Sequence, residues 1–302
     1  MNDRPKILIN RQGAGGDVLM TTPIIRKVHQ DHNGACDIDF CTFTQNEIWV
    51  RHNPHIKRVI TSHVIGTGAA PAADMIAKYD QYIDLDNVYE RNPGVHAIDA
   101  YAEVAIGHSD FDRSLELHTT DQDKEFAREL KQILNNDYIV LHIRKHFWEN
   151  RNLPTTFWQA LVEKLLDQTS LTIVQIGGTH EPCISGHDRL IDLRGGTTIL
   201  NLKEVIANSR LFIGSDSGPT HVAASTATNM MVFYTTVREE YRRPLRTVGR
   251  FVPMIPDIEC YGCHRQNTPE SLTMCFRENQ DMECLNRFNL DKAATTAVEL
   301  SQ

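Results

Sequence analysis

The chain has no stretch approaching the roughly 18 consecutive apolar residues that cross a bilayer. No membrane-spanning helix is therefore expected. It opens Met1-Asn2-Asp3-Arg4-Pro5-Lys6 and runs straight into an apolar strand, without the core of a signal peptide. The expectation is a cytoplasmic protein. Positive charge is in deficit: 31 Lys and Arg face 39 Asp and Glu, for a formal net charge of −8. That balance disfavours a broad nucleic-acid surface. One local basic run, Arg238, Arg242, Arg243, Arg246 and Arg250, reads either as a solvated face or as a phosphate contact. A Walker loop, Gly-x4-Gly-Lys-[Ser/Thr], is missing. The N-terminal glycines do not form Gly-x-Gly-x-x-Gly, which counts against a nicotinamide dehydrogenase. No His–Cys–Asp nucleophile pattern and no carboxylate pair with hydrolase spacing stands out.

What is present suits a globular α/β protein. The 302 residues, 41% of them hydrophobic, can fill two domains. Short apolar strands are expected at 6–10, 37–42, 57–61 and 81–85. Helices are expected at 18–30, 95–106 and 123–134, and Asn135-Asn136-Asp137 ends the last of these. The alternation then restarts, with strands at 138–143, 171–176, 190–193, 211–213 and 230–234. The matching helices are at 155–168, 201–207 and 219–227, and a final helix covers 288–302. Alternating strands and helices imply parallel sheets covered on both faces. The boundary is placed between 136 and 137.

Two strand-to-helix junctions carry the chemistry. One is Leu211-Phe212-Ile213-Gly214-Ser215-Asp216-Ser217-Gly218-Pro219-Thr220-His221. Ser215, Asp216 and Ser217 are N-cap types, and Pro219 fits a first helical turn. Free amides and small residues there suit a diphosphate, and Ser217, Gly218, Thr220 and His221 are the expected donors. Asp216 is placed to meet sugar hydroxyls or to cap the helix. The other junction follows the first strand: Arg11-Gln12-Gly13-Ala14-Gly15-Gly16-Asp17. Two such turns in opposite halves of the chain suggest two α/β domains facing each other across a cleft. An ordinary capped junction is the plain alternative for each.

Gly15-Gly16-Asp17-Val18-Leu19-Met20-Thr21-Thr22-Pro23, taken with Asp216-Ser217-Gly218-Pro219-Thr220-His221, resembles the heptosyltransferases (glycosyltransferase family 9), which build the lipopolysaccharide core. The resemblance implies the GT-B architecture, two Rossmann-like domains, with the acceptor bound by residues 1–136 and a nucleotide-sugar by 137–302. It implies inverting transfer of a sugar, by default from ADP-heptose, to an acceptor hydroxyl of a glycan or glycolipid. An acceptor of that kind implies contact with the inner face of a membrane. Asp17 then takes the family's place of general base, with helix capping as its alternative role. Gly13, Gly15 and Gly16 shape the acceptor-side loop, and Gly15 stands where the family commonly has a bulkier residue. Arg151 replaces a lysine that contacts the diphosphate, and Arg144 and Lys145 add cations nearby. Glu181, in Ile176-Gly177-Gly178-Thr179-His180-Glu181, takes the place of a ribose-binding acid. The last helix is expected to cross back onto the first domain. Rival readings are a glycosyltransferase acting on a modified nucleobase or a protein, and a non-catalytic nucleotide-sugar-binding protein.

Of seven cysteines, Cys36, Cys41 and Cys183 are scattered and read as small buried hydrophobes. Cys260, Cys263, Cys275 and Cys284 cluster as C-x2-C-x11-C-x8-C. Such a cluster suits a structural Zn or Fe site, with reduced thiols or disulfides as alternatives. Some members of the resembling family carry a cysteine-bound iron in this region. The transfer chemistry itself is expected to need no cofactor.

Overall fold

The computed structural model describes residues 4–62, 70–92, 94–146, 148–263, 275, 277 and 281–302. The chain forms two compact units, Met1–His118 and Thr119–Gln302.

The first unit is built on a four-stranded sheet of β1 (Lys6–Asn10), β2 (Asp37–Phe43), β3 (Arg58–Ser62) and β4 (Gln81–Asp84). The order is β3-β2-β1-β4, and every pairing is parallel. Ile7, Leu8 and Ile9 are fully buried in succession, as expected of a strand covered on both faces. The α-helices are α1 (Gly15–Leu19), α2 (Thr22–Asp31), α3 (Ala73–Ile76) and α4 (Ala97–Ile106), with α2 packed on α4, and a 3-10 helix covers Thr44–Trp49. The single helix expected over 18–30 is thus two helices. Pro23 explains the break. It sits in the first turn of α2, where its missing N–H is harmless, whereas inside a longer helix its ring would clash with the preceding turn.

The second unit has six parallel strands: β5 (Tyr138–His142), β6 (Thr172–Ile176), β7 (Leu190–Asp192), β8 (Leu211–Ser215), β9 (Asn229–Phe233) and β10 (Phe251–Met254). Their order is β10-β9-β8-β5-β6-β7. The helices are α5 (Asp121–Leu134), α6 (Thr155–Gln168), α7 (Ile199–Ala207), α8 (Gly218–Ala224) and α9 (Leu290–Ser301). Thr120 and Asp123 close the start of α5 reciprocally, and Asn135 ends it in a left-handed conformation. Sequence reading put this helix at the end of the first domain. It packs against α7, so the compact units divide between His118 and Thr119 instead.

β10 was not anticipated, because Pro253 interrupts its apolar run. Pro is tolerated there because β10 is an edge strand. α9 packs against α6, β8 and β9 within its own unit. There, Phe157, Trp158, Phe233 and Phe288 meet edge-on, with Trp158 and Phe233 centroids 5.2 Å apart. Cys36 and Cys41 are buried as expected, but Cys183 is exposed, because it lies in the loop after β6 and not in a strand.

In each unit the first strand is central, and later strands wind outward on both sides of it. The switch falls between β1 and β4 in the first unit and between β5 and β8 in the second. Open α/β sheets bind ligands at the carboxyl ends of the strands that flank such a point.

Candidate functional site

At the carboxyl ends of β1 and β4, Arg11 is 1% exposed and lies at the centre of a charged cluster. Its guanidinium donates to Glu90 Oε1 at 2.7 Å, to Asp86 Oδ1 at 3.4 Å and to the Leu85 carbonyl at 3.4 Å. Asp17 Oδ2 is 3.3 Å away. The rings of Tyr89 and Tyr101 lie 5.1 and 5.5 Å from the guanidinium carbon. Burial alone would disfavour the charge on Arg11. The surrounding Tyr101, Asp17, Tyr89 and Glu90 more than offset this and hold it cationic.

Asp17 sits in the first turn of α1. Its Oδ2 accepts from the Ala14 amide at 3.0 Å, and its Oδ1 accepts from the Tyr89 hydroxyl at 2.8 Å. It therefore does close the start of α1, and its side chain remains partly exposed. The Gly13 loop is held from outside by Asn46, whose amide donates to the Gln12 and Gly13 carbonyls at 2.8 Å each. Gly15 has to be small, since a Cβ there would overlap the indole of Trp49. Gly16 is buried in α1.

At the carboxyl ends of β5 and β8 the second unit gathers most of the residues singled out in the sequence. Asp216 is buried and ion-paired with Arg151, while Arg144 donates to the Asp216 carbonyl. Burial works against the Asp216 charge, but Arg151, His221, Arg144 and Arg242 outweigh it and hold the carboxyl below its usual range. Arg151 is itself 5.4 Å from the Trp148 ring. Ser217 opens α8. Its hydroxyl donates to the Ser215 carbonyl at 2.9 Å and lies 3.1 Å from His142 Nδ1. Gly218 begins α8, and Thr220 and His221 are buried along it. Thr220 donates to the Ser215 carbonyl at 2.5 Å. Arg144, Arg151, Ser215, Asp216 and Thr235 line one small cavity.

Glu181 is engaged within its own turn. Its carboxylate accepts from the Gly178 amide at 2.7 Å and the Lys145 amide at 3.1 Å, and it lies 3.2 Å from His142 Nε2. Burial would raise its pKa, but these partners, His142 foremost, hold it down at about 2. Gly177 has φ of +134°, and a Cβ there would overlap this carboxylate. The Lys145 side chain is exposed beside this turn. Sequence reading assigned no role to Arg11, Tyr89, Glu90 or His142. Arg11 and His142 had one signal, a polar residue at the carboxyl end of a central strand. Tyr89 and Glu90 had none, being more than 70 residues from Asp17 in the chain.

The arginines at 238–250 do not form one free face. Arg242 is buried, Arg246 donates to the Thr228 carbonyl at 2.8 Å, Arg243 pairs with Glu239, and Arg238 with Glu240.

The four clustered cysteines are free thiols around a cavity of about 110 Å³, which Asn150 and Thr236 also line. The buried Asn150 Oδ1 and Thr236 Oγ1 have no hydrogen-bond partner among the described residues. Burial, then the neighbouring Cys263, Cys260 and Cys275, push the Cys284 thiol up to about 12. A cation among the four sulfurs would relieve that repulsion, so the donor set fits a soft metal chemically. As placed, no three His, Cys, Asp or Glu side chains among the described residues form a set that could hold a metal ion.

Two parallel-sheet α/β units, each with a polar cluster at its switch point, fit the GT-B architecture. The family model for glycosyltransferase family 9 (heptosyltransferase) matches residues 69–275, and the chain belongs to that family. No curated protein matches it in sequence. Among solved structures it is similar to a family 9 glycosyltransferase from Veillonella parvula, at 15% identity and a TM-score of 0.73, covering 100% of this chain and 98% of that one. It is similar to the ADP-heptose LPS heptosyltransferase II of E. coli, at 15% identity and 0.66, covering 93% and 97%. It is also similar to TibC of enterotoxigenic E. coli, a dodecameric iron-containing heptosyltransferase solved in complex with ADP-D-β-D-heptose, at 14% identity and 0.69, covering 99% and 77%.

Proposed function

We propose that this chain is an inverting heptosyltransferase that moves heptose from ADP-heptose to a hydroxyl of the lipopolysaccharide core. The observation that carries the reading is the gathering of Arg144, Arg151, Asp216, Ser217, Thr220 and His221 at the carboxyl ends of β5 and β8 in a family 9 chain. Arg144 and Arg151 supply positive charge for the donor diphosphate, and Ser217, Gly218 and Thr220 supply hydroxyl and amide donors. Asp216 keeps Arg151 oriented. Glu181 acts through His142 and its own turn. Asp17, flanked by the Gly13–Gly16 loop, takes the proton of the acceptor hydroxyl as that oxygen bonds to C1 of the sugar. The bond from C1 to the diphosphate oxygen breaks, and ADP leaves with the electron pair.

A glycolipid acceptor would place the enzyme at the cytoplasmic face of a membrane as a peripheral protein. Among the described residues no helix is long and apolar enough to cross one. The four cysteines would bind Zn or Fe in a structural role. The two orphaned buried polar atoms and the repulsion around Cys284 support this. Metal analysis of protein purified reduced and without chelators should find about one equivalent, lost in Cys284→Ser. Finding neither Zn nor Fe removes that part of the reading.

The test of the main reading is calorimetric titration with ADP-heptose, UDP-glucose, GDP-mannose and ADP. Binding of ADP-heptose and ADP with rejection of the other two is expected. Selective binding of a uridine or guanosine donor would overturn the ADP-heptose assignment.

A further inference from the structure

The cluster around Arg11 explains how a partly exposed aspartate is kept in one orientation. Both oxygens of Asp17 are held, Oδ1 by the Tyr89 hydroxyl at 2.8 Å and Oδ2 by the Ala14 amide at 3.0 Å, with Arg11 at 3.3 Å. Tyr89 is 9% exposed and packs edge-on against Tyr101, with centroids 5.9 Å apart, while its face lies beside the Arg11 guanidinium. Its hydroxyl is therefore delivered to Asp17 by a ring that has little freedom to move.

Arg11 is not the private counter-ion of Asp17. Its shortest ion pair is to Glu90 at 2.7 Å, and Asp86 takes a third share at 3.4 Å. Glu90 and Asp86 thus share the guanidinium with Asp17 and help hold it beside that carboxylate.

We propose that Tyr89 and Arg11 are positioning residues for Asp17, and that Glu90 acts one step further out by holding the Arg11 guanidinium in place. The inference rests on the reading of Asp17 as the general base. Neither Tyr89 nor Glu90 is required to touch the donor, and their roles run entirely through the aspartate.

Tyr89→Phe tests this with little threat to the fold, because the ring stays against Tyr101 and Arg11. The readout is ADP released from ADP-heptose with water as acceptor. Tyr89→Phe should lower kcat by roughly 10- to 100-fold with the donor KM unchanged. Glu90→Gln should also lower kcat without moving the donor KM, whereas Glu90→Asp should restore part of it. An unchanged kcat in both Tyr89→Phe and Glu90→Gln overturns the proposal, as does a loss confined to KM.

A second measurement needs no turnover: the side-chain carboxyl carbon resonance of Asp17, identified by its disappearance in Asp17→Asn. It should shift in Tyr89→Phe, and an unmoved resonance overturns the brace. A wild-type chain that binds ADP-heptose but releases no ADP either with water or with a lipopolysaccharide-core acceptor overturns the transfer reading and the catalytic meaning of the brace together. The resonance still decides whether Tyr89 holds Asp17.

Discussion

His142 lies between two residues that the chain places far apart: its Nε2 is 3.2 Å from the Glu181 carboxylate, and its Nδ1 is 3.1 Å from the Ser217 hydroxyl. Because Glu181 accepts, Nε2 carries a proton, and the orientation of the imidazole is fixed. The end of β5 is thereby tied both to the turn after β6 and to the start of α8. Stability should depend on pH through this link. The Glu181 pKa is depressed to about 2, so its contribution is fully present above the ordinary glutamate range and is lost as pH falls toward 2. Glu181→Gln should cost about 1–2 kcal/mol at pH 7, after allowance for solvent screening, and the gap to wild type should narrow below about pH 4. Denaturant unfolding at the two pH values measures it, and a pH-independent gap would refute the charged link.

Asp17→Ala should reduce transfer by roughly 10²- to 10⁴-fold while leaving ADP affinity within about twofold. Paired turnover and calorimetric measurements decide the point. Transfer that survives would reduce Asp17 to its capping role, which the Ala14 amide already demonstrates.

The Arg151–Asp216 pair, with the aspartate buried and the arginine partly so, lies at the edge of the small cavity by β8. Arg151→Ala strands a carboxylate that depends first on Arg151 to offset its burial, and should cost about 3–5 kcal/mol as well as donor affinity. Asp216→Asn in the same chain should recover much of the stability but none of the affinity. Thermal unfolding combined with ADP titration across the double-mutant cycle separates the two effects. Recovery of both would show that Arg151 serves the fold alone.

Gly15 and Trp49 offer a steric test. Gly15→Ile should destabilise the first unit by about 1–3 kcal/mol, because the new side chain meets the indole. Adding Trp49→Ala should restore most of that. If the double variant is no more stable than Gly15→Ile, the indole is not what demands a glycine.

Much of this molecule was legible because its periodicities are strong. Ile7-Leu8-Ile9 and Leu211-Phe212-Ile213 read as doubly covered strands, and both are. Arg144, Asp216, Ser217, Thr220 and His221 are legible because each lies at a strand end or in a helix start, Arg151 only through the family resemblance, and the fold brings them together. The failures were of two kinds. Pro23 and Pro253 were under-read: the first splits a helix, and the second marks an edge strand. The other kind is tertiary. Nothing within a few residues of α5 says that it packs on α7. Nothing near Asp17 announces Tyr89 and Glu90, because their partnership depends on β1 and β4 being neighbours.

The shared guanidinium of Arg11 has an evolutionary corollary. Asp17, Asp86 and Glu90 all pair with one guanidinium that is almost wholly withdrawn from water. Losing Arg11 would take an ion pair from three carboxylates at once, and neutralising any one of them redistributes the charge seen by the other two. These positions are therefore not free to drift singly. Among descendants of this chain, substitutions at 11, 17, 86 and 90 should be inherited as a block, with intermediates that carry only one of the changes selected against.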